Sequence, residues 1–414
     1  MFKQLVSSLS FSALLLQAIL NSWGCSTLGT SLPDSHDLPF EGSDSPKLRP
    51  KLLWKQEIEG KLTDLSVAQE SGGILITQVL DAQGPGSTRL SLRDRSGKTL
   101  WTLPLDSPVR AQSISQQGDW IVVGTYEDEL IRIDSKTGKK IWTVSDSGMC
   151  RPYILEKSQR ILCYHDDDSV PGIAFSVFDA KGVIQHRFKV NQDLLLLKVA
   201  PDESQIVLGL VRGKIWILNP QFKKIAERDV GGELVDIAVS TKTDSASSSE
   251  GHAHWSALVN IHGVGQKLIS SSASGKTRWE QLLDSPHQQV ELSQDGTSAS
   301  VYANGPQGQW VSLWGFLAGP KNSLLWSYRS PRYADYNQRI DFSGGDLVLG
   351  FEEVTEKTRH SHVIALQASG KLDWDIPLLS EDGAYLYARG ASPRSRLVVV
   401  GTDDGILSAY ELQP

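Results

Sequence analysis

From residue 51 onward, apolar and polar residues alternate with a period of two, and no segment carries the 3.6-residue period of an amphipathic helix. Trp120-Ile121-Val122-Val123-Gly124-Thr125 reads as a buried strand and Tyr126 to Glu129 as a turn. Leu130-Ile131-Arg132-Ile133 alternates, and Asp134 to Gly138 turns the chain into the next strand. The pattern returns at Ile206 to Gly209 with Lys214 to Asn219, and at Leu397 to Thr402 with Gly405 to Tyr410. Short strands bounded by Gly, Asp and Asn turns predict an all-β fold with four antiparallel strands per unit.

The units repeat. Gly97-Lys98-Thr99-Leu100-Trp101 recurs as Gly138-Lys139-Lys140-Ile141-Trp142, Gly275-Lys276-Thr277-Arg278-Trp279 and Gly370-Lys371-Leu372-Asp373-Trp374. Trp54 and Trp326 hold equivalent places without the Gly, and weaker copies place His186 and Glu227 there, Glu227 by its offset of eight from Asn219. These anchors are 41 to 52 residues apart, and the longest step holds the polar run Ser240 to Glu250. Eight anchors predict an eight-bladed β-propeller; seven blades is the runner-up, because the middle copies are degenerate.

A single four-stranded blade has two apolar faces and cannot bury them alone. Trp54, Trp101, Trp142, Trp279, Trp326 and Trp374 are expected to dock each blade on its neighbour, which accounts for Trp 12 against Met 2. A buried Trp hides roughly 150–250 Å², about 4–6 kcal/mol as an upper estimate. The last unit ends at Tyr410-Glu411-Leu412 without an outer strand. The strand around Trp54 should therefore complete the last blade, so that N- and C-terminal strands close the ring in one sheet.

The N-terminus reads as an address. Leu5 to Leu20 is apolar, follows Lys3, and would span about 24 Å as a helix, short of a bilayer core of roughly 30 Å. That makes residues 1–24 a secretory signal peptide. Gly24-Cys25 resembles the lipobox of bacterial lipoproteins, although Ser22 and Trp23 depart from its preferences. The resemblance implies diacylglyceryl on the Cys25 thiol, and Ser26 after it implies outer-membrane sorting. The alternative is ordinary cleavage and a soluble periplasmic protein. Residues 26–50 have no hydrophobic period and read as a flexible tether, so that 25–50 carry the anchor and tether and 51–414 the propeller.

With 40% hydrophobic and 21% charged residues, the composition is globular. A formal charge of −7, with Lys and Arg scattered among Asp and Glu, argues against nucleic acid as a partner.

The run Gly124 to Trp142, Gly-Thr-x4-Leu-x2-Ile-Asp-x3-Gly-x3-Trp, resembles the PQQ-type propeller repeat. That repeat occurs in quinoprotein dehydrogenases and in non-enzymatic propellers, among them envelope lipoproteins of the BamB type, which serve outer-membrane assembly. A quinoprotein dehydrogenase implies a vicinal Cys pair over its cofactor, and this chain has no Cys-Cys. Together with Cys25, the resemblance implies no cofactor, no catalytic set, and a monomeric protein-binding scaffold anchored to the membrane at Cys25. The alternatives are an enzyme, or a small-molecule or glycan binder using aromatics such as Tyr333 and Tyr336, with a site at the channel mouth.

The remaining chemistry is sparse. Cys150 and Cys163 flank a hairpin turning near Lys157-Ser158, a register that sets Cys163 opposite Pro152. The two either pair diagonally in an oxidising compartment or stay buried thiols. His252, His254 and His262, near the polar insertion, and His360 and His362, in another loop, read as solvated histidines rather than zinc ligands. Asp166-Asp167-Asp168 reads as an exposed turn.

Overall fold

The computed structural model describes the backbone of residues 50–80, 88–145, 147–166, 172–240, 255–272, 274–283, 289–292, 298–304, 311–317, 324–330, 341–343, 346–354, 359–366, 372–378, 386–392, 396–402 and 405–411. Side-chain surroundings are described to residue 292 and at 299, 301, 396–402 and 405–411. The alternating segments of the sequence are its strands. Trp120–Thr125 is buried at every position, as a strand covered on both faces must be.

The described strands make eight four-stranded antiparallel sheets. The first sheet runs Lys61–Val67, Ile74–Val79, Thr88–Arg93 and Thr99–Leu105, and the second Val109–Ile114, Trp120–Thr125, Leu130–Asp134 and Lys140–Val144. The third starts at Arg151–Leu155, the fourth at Leu194–Val199, the fifth at Glu233–Val239, the sixth at Gln289–Leu292 and the seventh at Asp341–Ser343. The eighth contains Leu386–Ser392, Leu397–Thr402 and Ile406–Glu411, and takes Lys51–Glu57 as its last strand. Trp54 pairs with Ala409 and Leu52 with Tyr410, so the two ends of the described chain share one sheet. Such an arrangement is a β-propeller.

Each core cluster straddles two sheets. Leu75, Leu90 and Leu92 of the first sheet meet Ile121, Val123, Ile131 and Ile133 of the second. On the other face of the same strand, Trp120 and Val122 meet Ile154, Ile161 and Phe178 of the third. Period-two alternation thus sends successive side chains to opposite neighbours. Leu62, Ile74 and Ile76 pack on Leu397, Val399 and Leu407, which joins the first sheet to the eighth.

The last strand of each sheet carries a bulge one residue before the predicted Trp position. Leu100 precedes Trp101, Ile141 precedes Trp142, and Gln185 precedes His186 as the unpaired residue. This corrects one position. In the fourth sheet the unpaired residue is Ile225, so Ala226, not Glu227, is the Trp equivalent. The turn Asp134 to Gly138 has one more residue than its counterparts, and an offset taken from it runs one too far. Glu227 instead faces outward and pairs with Lys224 at 2.6 Å and Lys214 at 3.7 Å. A second correction concerns His360 and His362, expected in a loop. They lie within the strand Arg359–Leu366, where alternation His-Ser-His-Val-Ile favours pairing.

Candidate functional site

The first strand of each sheet is its inner strand: Lys61–Val67 touches Val109–Ile114 and Leu386–Ser392, and Val109–Ile114 touches Arg151–Leu155. Among the described strands, each of these pairs with another strand on one side only, so its second edge turns toward the ring centre. At one end, where these strands pass into their turns, the first four sheets enclose a cavity of about 610 Å³. Its wall includes Ser66 and Gln69, Gln112 and Gln116, Tyr153, Glu156 and Lys157, and Glu203.

The wall is fixed by bonds from sheet to sheet. Gln112 accepts from the Thr77 hydroxyl at 2.6 Å and donates to the Leu75 carbonyl at 3.3 Å, both in the first sheet. The Glu156 carboxylate accepts the backbone N–H of Gln116 at 2.9 Å. Glu203 accepts the N–H groups of Lys157 at 2.6 Å and Ser158 at 3.0 Å, one on each oxygen. Glu70 donates its N–H to the Gln116 carbonyl at 2.8 Å. Turns of four successive sheets are therefore tied together around the mouth.

Tyr153 is 37% exposed, and that surface belongs to the cavity wall. Desolvation by the wall, and then the Glu203 charge, push its phenol up to about 12, so it stays a protonated donor at neutral pH. Farther round, Asp236 on the inner strand of the fifth sheet bridges its neighbours. It accepts the Val290 N–H at 2.9 Å and lies 3.8 Å from the Lys198 ammonium. Burial raises its pKa, and Lys198 and the N–H groups oppose that shift.

The predicted Trp positions lie on the last strands, and no Trp is among the wall residues of this mouth. The indole of Trp54 donates to the Arg95 carbonyl at 2.8 Å, Trp101 to Ser135 at 2.6 Å and Trp142 to Ala180 at 3.0 Å, each acceptor lying in a turn of the next sheet. Where His186 replaces Trp, its ring lies 6.1 Å from that of Phe222, which stands where other turns have Gly. Ala226 lies against Gly275 in the same way. Trp279 is buried between the fifth and sixth sheets. The side chains of Trp326 and Trp374, and all of Cys25, lie outside the described residues, as do His252, His254, Asp167, Asp168, Tyr333 and Tyr336.

Cys150 and Cys163 are fully buried between the second and third sheets, with Cα atoms 5.6 Å apart and sulfur atoms at bonding distance. Pro152 pairs with Cys163, the register read from the sequence. His262 is exposed, and Asp166 lies 3.6 Å from Arg110. Among the described residues no three His, Cys, Asp or Glu side chains converge as metal ligands. The residues of the cavity wall do not fit a quinone cofactor held under a cysteine pair, since both described cysteines are buried in the seam.

The sequence reading missed Tyr153, Glu156 and Glu203. The signal was a pair of polar or charged residues in the turn after each of the first four inner strands: Gln69-Glu70, Gln116-Gln117, Glu156-Lys157 and Asp202-Glu203. It is invisible until the repeats are aligned by strand rather than by Trp.

Comparison with known proteins places these features in context. The sequence profile of the family described as outer membrane protein assembly factor BamB matches residues 86–311. Among curated proteins, 1-butanol dehydrogenase (cytochrome c) of Thauera butanivorans is 27% identical over 124 residues, covering 27% of this chain and 17% of that protein. Quinohemoprotein alcohol dehydrogenase ADH IIB of Pseudomonas putida is 32% identical over 77 residues, 16% of this chain and 11% of that protein. The matches thus span less than a fifth of either dehydrogenase. Among solved structures, BamB from Moraxella catarrhalis superposes with a TM-score of 0.54 at 14% identity, covering 88% of this chain and 98% of that one. The computationally designed Ika8 protein superposes at 0.58 and 13% identity, covering 87% and 100%. At these identities the superpositions speak for the fold alone.

Proposed function

The chain belongs to the family of outer membrane protein assembly factor BamB, and from that premise we propose that it is a non-enzymatic scaffold of the cell envelope. In this reading the eight sheets are the blades of one ring, which holds a protein partner on a rigid rim, possessing no cofactor and acting as a monomer. Residues 1–24 direct export, Cys25 carries the lipid, and residues 26–50 tether the propeller at the periplasmic face of the outer membrane.

The observation that carries the reading is the set of sheet-to-sheet bonds around the mouth, from Glu156 to Gln116 and from Glu203 to Lys157 and Ser158. A surface already rigid loses little conformational entropy when a partner docks on it. The test is a photo-crosslinking residue placed at Gln69 or Gln117 on this rim and, as a control, at Lys136 on the ring perimeter. A discrete protein adduct from the rim positions in envelope membranes is the expected result. Equal or absent adducts at rim and perimeter would refute it. Intact mass of the mature protein tests the anchor: the expected species begins at an acylated Cys25.

A second reading, an enzyme working at the channel mouth, draws on the cavity and on the short matches to two alcohol dehydrogenases. Alcohol-dependent dye reduction by the purified protein supplied with quinone and calcium would favour it over the scaffold.

A further inference from the structure

We propose that the cavity at the mouth seats a cationic side chain, arginine or lysine, carried on an extended segment of the protein partner. It would lie between the ring of Tyr153 and the carboxylates of Glu156 and Glu203. The proposal rests on the scaffold reading and adds the chemistry of the partner.

Three features of the wall lead to it. The first is uncancelled charge. Glu156 and Glu203 are held by backbone N–H groups, which fix the carboxylates without neutralising them. The ion pairs among the described residues include neither glutamate. Lys157 is the single cationic residue of the wall and is exposed, so the cavity has two carboxylates to one ammonium. A cavity walled by protein focuses such a charge more strongly than open water does.

The second feature is the aromatic surface of Tyr153, which offers a ring to a cation. The same pairing already occurs within this chain: the Arg160 guanidinium lies 5.1 Å from the Phe222 centroid, and the Lys224 ammonium 4.1 Å from that of Trp216. The third is the wall's backbone. The cavity runs along inner strands whose second edges pair with no other described strand, and Gln69 and Gln116 add side-chain amides beside them. At about 610 Å³ it lies inside the usual range of roughly 300–1,000 Å³ for ligand sites and has room for peptide as well as one side chain.

The test is fluorescence anisotropy of the full chain with three labelled peptides of equal length, alternating serine with arginine, glutamine or glutamate. The arginine peptide should bind about tenfold more tightly than the glutamine peptide, a difference that added salt reduces. Tyr153→Leu and Glu156→Gln should each weaken it roughly fivefold, whereas Tyr153→Phe, which keeps the ring, should not. Glu156→Gln keeps an oxygen for the Gln116 N–H, so the turn stays tied. Equal binding of the three peptides, or unchanged binding by Tyr153→Leu and Glu156→Gln with native circular dichroism, overturns the proposal. So does tighter binding of a neutral oligosaccharide, chitohexaose, than of the arginine peptide. Rim crosslinks without arginine-peptide binding would sink this proposal alone; peptide binding without rim crosslinks would sink the scaffold reading alone.

Discussion

The indole of Trp54 lies against the backbone of Gly97 on the neighbouring sheet, closer than any larger residue at position 97 would allow. A Cβ at Gly97 would fall 2.7 Å from Cδ2 and Cε2 of the ring, and the backbone there holds φ at +83°. Gly97 thus serves two needs at once, a left-handed turn and a surface flat enough for an indole. The seam belongs to the sheet where the chain's two ends meet, and Arg95 of the same turn also pairs with Glu411.

Gly97→Ala should therefore destabilise the propeller by more than a surface substitution does, about 2 kcal/mol or above, since strain and a steric clash add. Trp54→Ala should cost about 3 kcal/mol through the cavity it leaves, and Trp54→Phe less, because a six-membered ring persists while the pyrrole part of the indole and its bond to Arg95 are lost. Urea denaturation followed by circular dichroism measures both. Stabilities within about 0.5 kcal/mol of the parent would mean that this seam does not hold the ring.

Much of this was legible in the sequence because a propeller repeats its own punctuation. The period of two, the Gly-Lys-x-x-Trp anchors and the missing last strand pointed to the sheets and to the strand of Trp54 completing the sheet of Tyr410, where Trp54 pairs with Ala409. Failure came where a repeat departed from its siblings. An extra turn residue before Gly138 displaced the expected equivalent from Ala226 to Glu227, and a polar-looking His360-Ser-His362 concealed a strand. The mouth was unreadable for a different reason. Tyr153, Glu156 and Glu203 are ordinary surface residues in one dimension, and only the ring brings the turns of separate repeats together.

Cys150 and Cys163 are expected to be oxidised in the protein purified without reductant. Cys150 stands in the connection between the second and third sheets and Cys163 on the second strand of the third, so a bond would fasten that connection to the sheet. Under non-reducing denaturation that protein should resist alkylation and weigh two hydrogens less than its reduced form. Cys150→Ala with Cys163→Ala should lower stability by about 3 kcal/mol, the value for a loop of this length in the chain-entropy account. Full alkylation of the unreduced, denatured chain would leave two thiols in place of the bond.

Exposed turn carboxylates should give the acid limb of stability. Hydrogen bonds from the Thr137 hydroxyl, and then from its N–H, hold Asp134 below its ordinary pKa. A depressed folded pKa stabilises above the unfolded value and is lost as pH falls through the folded one. Asp134→Ala should thus reduce stability at neutral pH and flatten the loss between about pH 4 and more acid values. An unchanged difference from the parent across that range would refute the role of the turn.

Asp236 should act with the opposite sign. Burial raises its folded pKa, although Lys198 and the Val290 N–H counter the effect. In the window between the unfolded value, about 4, and the raised folded value, the native state binds more protons than the unfolded chain. Stability attributable to Asp236 should therefore fall as pH rises through that window and stay level above it. Asp236→Asn keeps an oxygen for the Val290 N–H and leaves Lys198 partly solvated, so the fold should survive it. The difference in unfolding free energy between parent and variant, followed by urea titration from acid to neutral pH, isolates this group from Asp134 and the other turn carboxylates. It should move in the variant's favour as pH rises. A shift in the parent's favour would mean that the pairing with Lys198, together with the Val290 N–H, outweighs desolvation, and that charge helps join the inner strands of the fourth and fifth sheets.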